Sequence, residues 1–329
     1  MNKFYKIMFF NLLLLSTLIT ISSYSWFMMW LGVEINMMSM IPIMLKKNNI
    51  YSSEASLKYF LVQSLGSTVL MFSLMLMESM MFLDYSMMIV QTSLIMKLGM
   101  VPFHSWLPEV MEGLTWLNCL IMLTWQKISP MMMLMMLSKN SLLIILSIIS
   151  SSLISGIQGL NQISLRKIMT YSSINHMSWM MMSLMSSTYV WMIYFLIYSI
   201  SNLNLILVFN SMKISVINQI NSLKMNKYWK IMILMNFLSL GGMPPMIGFF
   251  PKWLTIHMMI TNMHMFMMLI LVMSTLIHMY FYTRIMLTSL VMKIKEPKLK
   301  INWMNKQSLN LMVLNSMFLF SLPLMNMNF

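Results

Sequence analysis

Five charged side chains stand within or beside long apolar runs: Glu34, Lys97, Lys127, Lys252 and Arg284. A charge inside hydrocarbon costs about 3 kcal/mol or more on insertion scales, so groups placed there commonly mark an ion or proton path. Glu34 lies mid-run in Trp30-Leu31-Gly32-Val33-Glu34-Ile35-Asn36. A carboxylate at that depth needs a partner to stay ionised. A lysine from another helix is the obvious one, in a proton path or in a purely structural ion pair. Lys97 ends an apolar run, five residues ahead of Pro102. A helical proline there would free the carbonyl of Leu98 and set an acceptor beside the amine; the other reading is a lysine near the end of its span, snorkelling to the headgroups. Lys127, in Leu123-Thr124-Trp125-Gln126-Lys127-Ile128-Ser129-Pro130, lies deeper, where snorkelling is hard, and Pro130 would free the Gln126 carbonyl in the same way. Lys252 follows a stretch from Leu240 to Pro251 that holds three of the nine glycines and three of the nine prolines, so no straight helix passes through it. Broken helices at membrane depth are tolerated where they are buried or line a wet cavity. The alternative is an interfacial loop with Lys252 at the surface. Arg284 closes its run on the basic side of the chain, where anchoring suffices.

His176 sits in one of the few polar patches on an apolar run, Tyr171-Ser172-Ser173-Ile174-Asn175-His176-Met177-Ser178-Trp179. An imidazole can pass a proton near neutral pH, although spacing alone favours a hydrogen-bonded core histidine. His104 has the same two readings. His257, His264 and His278 are spaced to share one helix face, yet no second histidine or carboxylate completes a metal site, so they read as packing or interfacial residues. The single cysteine, Cys119, excludes a disulfide framework and any cysteine-rich cluster. Phosphate-binding glycine loops, dinucleotide fingerprints and Ser-His-Asp arrangements are absent from the sequence, and no pair of axial haem histidines faces another across two runs. The sequence therefore carries protonatable groups at depth, no metal site and no evident cofactor site.

These residues must be positioned by membrane helices. The 329 residues are 59% hydrophobic and 9% charged, against about 25% charged in soluble domains. At about 20 apolar residues per crossing, the chain reads as about eleven spans: 4–22, 24–44, 57–77, 83–101, 113–137, 141–161, 168–187, 189–210, 230–249, 256–288 and 308–327. The tenth is overlong and must tilt or break near its start. No strand alternation of a barrel is present and no loop is long enough to fold alone, so the expectation is one all-α polytopic membrane domain over 1–329. The net charge of +14 suits membrane orientation better than nucleic acid, because apolar runs separate the basic residues. Lys3, Lys6, Lys46, Lys47, Lys58, Arg166, Lys167, Lys213, Lys224, Lys227, Lys230 and the basic residues from Lys293 to Lys306 fall on one side. Lys139, Glu78 and Asp84 fall on the other. The bias puts the N-terminus inside and, with an odd number of spans, the C-terminus outside.

Usage is also skewed, with 52 methionines, one alanine and two arginines. Methionine can replace Leu and Ile as adaptable packing, and the skew resembles proteins of AT-rich arthropod mitochondrial genomes. Five motifs in one order carry a closer likeness: Leu31 to Asn36, Lys97 to Trp116, Leu123 to Pro130, Tyr171 to Trp179 and Gly241 to Trp253. On these the chain resembles the NADH–ubiquinone oxidoreductase chain 2 family, antiporter-like membrane-arm subunits of respiratory complex I. It departs at Ser105, where an aromatic is usual, and at Asn175 and Ser178, where small residues flank the histidine. The resemblance implies an antiporter-like core over about 23–288 with a further span at about 308–327, and animal members that lack three N-terminal helices of bacterial relatives. It implies that Glu34 pairs with Lys97, that Lys127 is central, and that Lys252 stands at a broken helix. His176 and His104 are further candidates for proton transfer. The resemblance implies no cofactor on this chain, with NADH, FMN, iron–sulfur clusters and ubiquinone held by other subunits. Its partners would be other membrane-arm subunits of complex I, neighbouring antiporter-like subunits among them, and lipids. Its place would be the mitochondrial inner membrane, N-terminus in the matrix and C-terminus in the intermembrane space. The function implied is proton translocation driven by quinone reduction; the rival readings are a free-standing cation/proton antiporter and a structural spacer.

Overall fold

Long apolar stretches leave the backbone no solvent to bond with, so its N–H and C=O groups are satisfied within each segment, as helix. A computed structural model describes residues 2–46, 49–78, 83–137, 141–222, 227–261 and 263–291. Among these the chain forms α1 (Asn2–Ser22), α2 (Trp26–Met44), α3 (Ile50–Glu78), α4 (Leu83–Leu98), α5 (Trp106–Gly113), α6 (Trp116–Leu123), a 3₁₀ turn (Trp125–Lys127), α7 (Ile128–Met135), α8 (Leu142–Leu160), α9 (Leu165–Ser186), α10 (Thr188–Met212), α11 (Ile217–Ser222), α12 (Lys227–Gly241), α13 (Phe249–Thr261) and α14 (Met265–Val291). The only β pairing among the described residues is one bridge, Ser164 with Val216. Among the described residues six helices, α1, α2, α3, α8, α10 and α14, are long and apolar enough to cross a membrane. The expected span 308–327 lies outside the described residues.

Many hydroxyls in these helices bond back to the preceding turn. Ser16 donates to the Leu13 carbonyl at 2.8 Å, Ser172 to Met169 at 2.7 Å and Ser178 to Asn175 at 2.6 Å. An apolar environment thereby accepts a polar side chain without leaving its O–H unbonded. The helix α3 has 29 residues, or about 43 Å at 1.5 Å per residue, longer than a hydrocarbon core of about 30 Å. Its first turns carry Glu54 and Lys58, and Lys58 Nζ lies 2.9 Å from both Glu54 and Glu109.

The chain divides into two compact units, residues 1–151 and 152–329. In the first, α2 packs on α1 and α3, α3 on α4 and α5, and α7 on α1, α2 and α4. In the second, every residue of α9 from Ile168 to Met185 is buried, so this helix is core on all sides, with α10, α13 and α14 packed on it.

Several expected spans are interrupted. The run 113–137 is not one helix: α6 stops at Leu123 and the 3₁₀ turn carries Lys127 into α7. The overlong run 256–288 breaks near its start, between Thr261 and Met265. The short helix α11 lies outside the expected spans, and α5 only reaches the first residue of one, Gly113.

Candidate functional site

In the first unit, α4 ends by a glycine stop. Gly99 takes φ +69°, its N–H bonds to the Met96 carbonyl at 3.2 Å, and the Met100 N–H bonds to Ile95 at 3.2 Å. This paired closure caps the last turn and leaves Lys97 one residue from the end. Here the structure corrects the expectation about Pro102: the helix has ended before the proline is reached, so Pro102 frees no helical carbonyl at Leu98. The Lys97 carbonyl instead accepts from Gln63 Nε2 of α3 at 3.1 Å. Pro130 likewise stands in the first turn of α7, where its missing N–H leaves no helical bond broken. The interruption lies earlier, at Thr124, whose hydroxyl donates to Leu120 at 2.7 Å.

These two helix ends bring the first two lysines together. Lys97 and Lys127 expose only 5% and 3% of their surface, which removes the snorkelling reading for Lys97. Both line a cavity of about 20 Å³ with Asn36, Tyr59, Gln63, Gln126 and Ser129. That is room for about one water, provided it has polar partners. The partners belong to a chain of hydrogen bonds across α2, α3, the 3₁₀ turn and α7. Tyr59 Oη donates to Gln126 Oε1 at 3.2 Å, Gln126 Nε2 donates to Asn36 Oδ1 at 3.0 Å, and Asn36 Nδ2 donates to Ser129 Oγ at 3.2 Å. The Lys97 ammonium has no direct hydrogen-bond partner among the described residues. Glu34 acts on it through space, from a half-buried position on α2 where it lines a groove with Phe9, Leu12, Trp30, Ile35, Met38 and Ser39. The two are thus within electrostatic reach without a direct contact.

Gly66 of α3 faces the Lys97 stem. A Cβ added there would lie 3.1 Å from Lys97 Cγ and 3.4 Å from Cε. Sequence reading missed this residue, since nothing in a single helix shows what packs against its glycine.

In the second unit, the glycine- and proline-rich stretch is a break between helices. α12 ends at Gly241, Gly242 takes φ +82°, and α13 starts at Phe249. Lys252, 5% exposed, turns back from α13 and donates to the Gly241 carbonyl at 2.7 Å, with the Trp179 ring centroid 5.8 Å from Nζ. The interfacial-loop reading is thereby set aside. An orphan carbonyl at a helix end and an ammonium satisfy one another here, and both leave bulk water to do so. His176 is buried on α9, with Nδ1 2.9 Å from Tyr194 Oη and its ring 5.0 Å from that of Tyr198. Tyr198 bonds Asn202 and Ser173 in turn. His104 is elsewhere. It stands half-exposed on the connection from α4 to α5, with Nδ1 3.4 Å from the Pro102 oxygen, and it does not line the cavity shared by Lys97 and Lys127. Arg284 lies 3.4 Å from the Gln162 carbonyl, consistent with anchoring. His278, read as a packing or interfacial residue from its sequence position, is fully buried with both ring nitrogens in hydrogen bonds.

Within the first unit, two buried amines share a cavity lined by amides and hydroxyls, groups that can hold and pass protons; in the second, a buried amine stands at a helix break. A family described as NADH:quinone oxidoreductase/Mrp antiporter, transmembrane, matches residues 23–82 and 78–278. A protein of Anopheles gambiae named NADH-ubiquinone oxidoreductase chain 2 is 41% identical over 94% of this chain and 92% of its own. One of the same name from Locusta migratoria is 38% identical over 99% and 94%. A chain in the structure of respiratory complex I from Thermus thermophilus superposes with a TM-score of 0.88 at 19% identity, covering 99% of this chain and 79% of that one, which shows the shared fold.

Proposed function

Since the chain belongs to the NADH:quinone oxidoreductase/Mrp antiporter membrane family, we propose that it is a core membrane subunit of respiratory complex I and contributes to moving protons from the matrix to the intermembrane space, driven by ubiquinone reduction by NADH. It is one membrane domain of the inner membrane, N-terminus in the matrix and C-terminus in the intermembrane space. Its partners are the other membrane-arm subunits, neighbouring antiporter-like subunits among them, and lipids. A single cysteine cannot ligate an iron–sulfur cluster, which supports placing the clusters in other subunits; NADH, FMN and ubiquinone belong there in the same reading.

One observation carries the mechanism: Lys97 and Lys127 open onto the same small polar cavity. Desolvation favours a neutral amine and a nearby carboxylate favours a charged one. While Glu34 is close, Lys97 keeps its proton; when Glu34 withdraws, Lys97 passes it through a water in the cavity to Lys127. The amides of Asn36, Gln63 and Gln126 orient that water. In the second unit Lys252 is the corresponding amine, held at the break after α12, and His176 with Tyr194 is a candidate relay. His104 has no step in this scheme, because it stands outside the cavity.

The test is Lys97→Ala and Lys127→Ala in the assembled complex. Native gels should show full assembly while protons moved per NADH fall by more than half. Full pumping in both variants refutes the role. Normal pumping per complex with poor assembly would instead favour a structural spacer.

A further inference from the structure

His278 is the midpoint of α14, thirteen residues from Met265 and thirteen from Val291. At 1.5 Å per residue, each end of the described helix is about 20 Å away, so the ring sits at the middle of an apolar helix. Its surroundings fix its hydrogens. Nδ1 lies 2.9 Å from the Ser274 carbonyl oxygen, which can only accept, so Nδ1 carries a hydrogen. Nε2 lies 3.1 Å from Ser155 Oγ on α8. That hydroxyl also lies 3.2 Å from the Ser152 carbonyl oxygen. It has one hydrogen and two acceptors within reach.

Two complete arrangements follow. With a neutral ring, Ser155 donates to the Nε2 lone pair. With a protonated ring, Nε2–H donates to Ser155 Oγ, and the Ser155 hydrogen swings to the Ser152 carbonyl. No polar atom of the ring is left unbonded in either state, and only a hydroxyl rotates. Packing makes room for this contact: a Cβ on Gly156 would lie 3.2 Å from His278 Cε1.

The ionisable groups around the ring are few. Of the elements beside α14, α8 and α11 carry none, α12 carries none from Ile231 to Gly241, and α9 carries Tyr171 and His176 in its fully buried stretch; α14 itself carries Tyr282 one turn on. From α13 comes Lys252, whose acceptor Gly241 packs against Met279 and Tyr282 of α14 and whose charge acts on the ring through space. Two cations so placed repel one another, so the pair resists carrying two protons and tolerates one.

Resting on the proton-translocating reading above, we propose that His278 is a further proton-holding group of this chain, switched by the Ser155 hydroxyl and alternating with Lys252. In the step, an N–H bond at Lys252 Nζ breaks and one at His278 Nε2 forms, with water as carrier. The charge of the pair stays at one throughout.

The test compares native complex with His278→Gln, Ser155→Ala, Ser155→Thr and Lys252→Met, scoring assembly, protons per NADH and the pH profile of coupled turnover. His278→Gln is expected to assemble and to lower the proton yield at least threefold. Ser155→Ala should shift the pH at half-maximal turnover, and Ser155→Thr, which keeps a hydroxyl, should restore it. The double variant His278→Gln with Lys252→Met should be no worse than the weaker single one. If Lys252→Met stops pumping but His278→Gln and Ser155→Ala leave yield and profile native, this inference falls and the wider reading stands. If none of the variants changes pumping, both fall. Should His278→Gln fail to assemble, the serine pair decides: equal profiles for Ser155→Ala and Ser155→Thr overturn the proposal.

Discussion

Gly66→Ala probes the site through a residue that carries no chemistry of its own. The added Cβ would stand 3.1 Å from Lys97 Cγ and 3.4 Å from Lys97 Cε, with Ser93 O at 3.7 Å. Carbon atoms settle at about 3.5–4.0 Å, so the lysine stem must retreat by roughly 0.5 Å. A side chain driven off its rotamer costs about 0.5–1.5 kcal/mol, a factor of roughly 2 to 10 in the population of the working geometry. The helix itself gains, because alanine is better than glycine in a helix interior by about 0.5–1 kcal/mol. Assembly should therefore be normal while the rate of proton translocation drops two- to tenfold. Gly66→Val, with a branched Cβ against the same stem, should drop it further. The assay is NADH-driven acidification of proteoliposomes holding the purified complex, with NADH oxidation followed in parallel. Native rates in an assembled Gly66→Val complex would falsify the claim that Lys97 works from this position.

Three further outcomes follow from the same geometry. Gln126→Leu, which severs the links to both Tyr59 and Asn36, should lower proton yield more than Tyr59→Phe, which removes one hydrogen bond worth about 0.5–1.5 kcal/mol; equal effects would show that the link from Gln126 to Asn36 adds nothing. Gly242→Ala puts a Cβ 2.9 Å from Lys252 Cδ at a backbone φ of +82°, a conformation costing about 1–2 kcal/mol for L-residues, and should impair pumping and reduce the complex seen on native gels. Glu109→Gln should change neither, because Lys58 keeps Glu54 at 2.9 Å and such exposed pairs contribute about 0–1 kcal/mol; a loss of half the complex would contradict this.

The spans were legible because uninterrupted apolar runs admit little but helix in a membrane. Lys127 and Lys252 were legible for the same reason, as charges with nowhere cheap to go, and the crowd of glycines and prolines before Lys252 marked its broken helix. The first break was misplaced. Proline draws attention as a breaker, yet α4 is ended by Gly99, three residues before Pro102, and the stretch before α7 is interrupted at Thr124, six residues before Pro130. His278 and Gly66 were missed on physical grounds. An imidazole in an apolar run gives no sign that Ser155, 123 positions away, bonds its nitrogen, and a glycine is silent about what approaches it. Apolar periodicity was no guide to α5 or α11 either, since both membrane and protein core accept the same side chains.

On the proposed mechanism Lys97 and Lys127 exchange protons through water held between them. A map of the native membrane complex, at a resolution that shows ordered water, tests this most directly. A water is expected within about 2.7–3.2 Å of both amines, bonded also to Asn36, Gln63 or Gln126. A dry cavity closed by side-chain packing, with either amine turned away from it, would contradict the account.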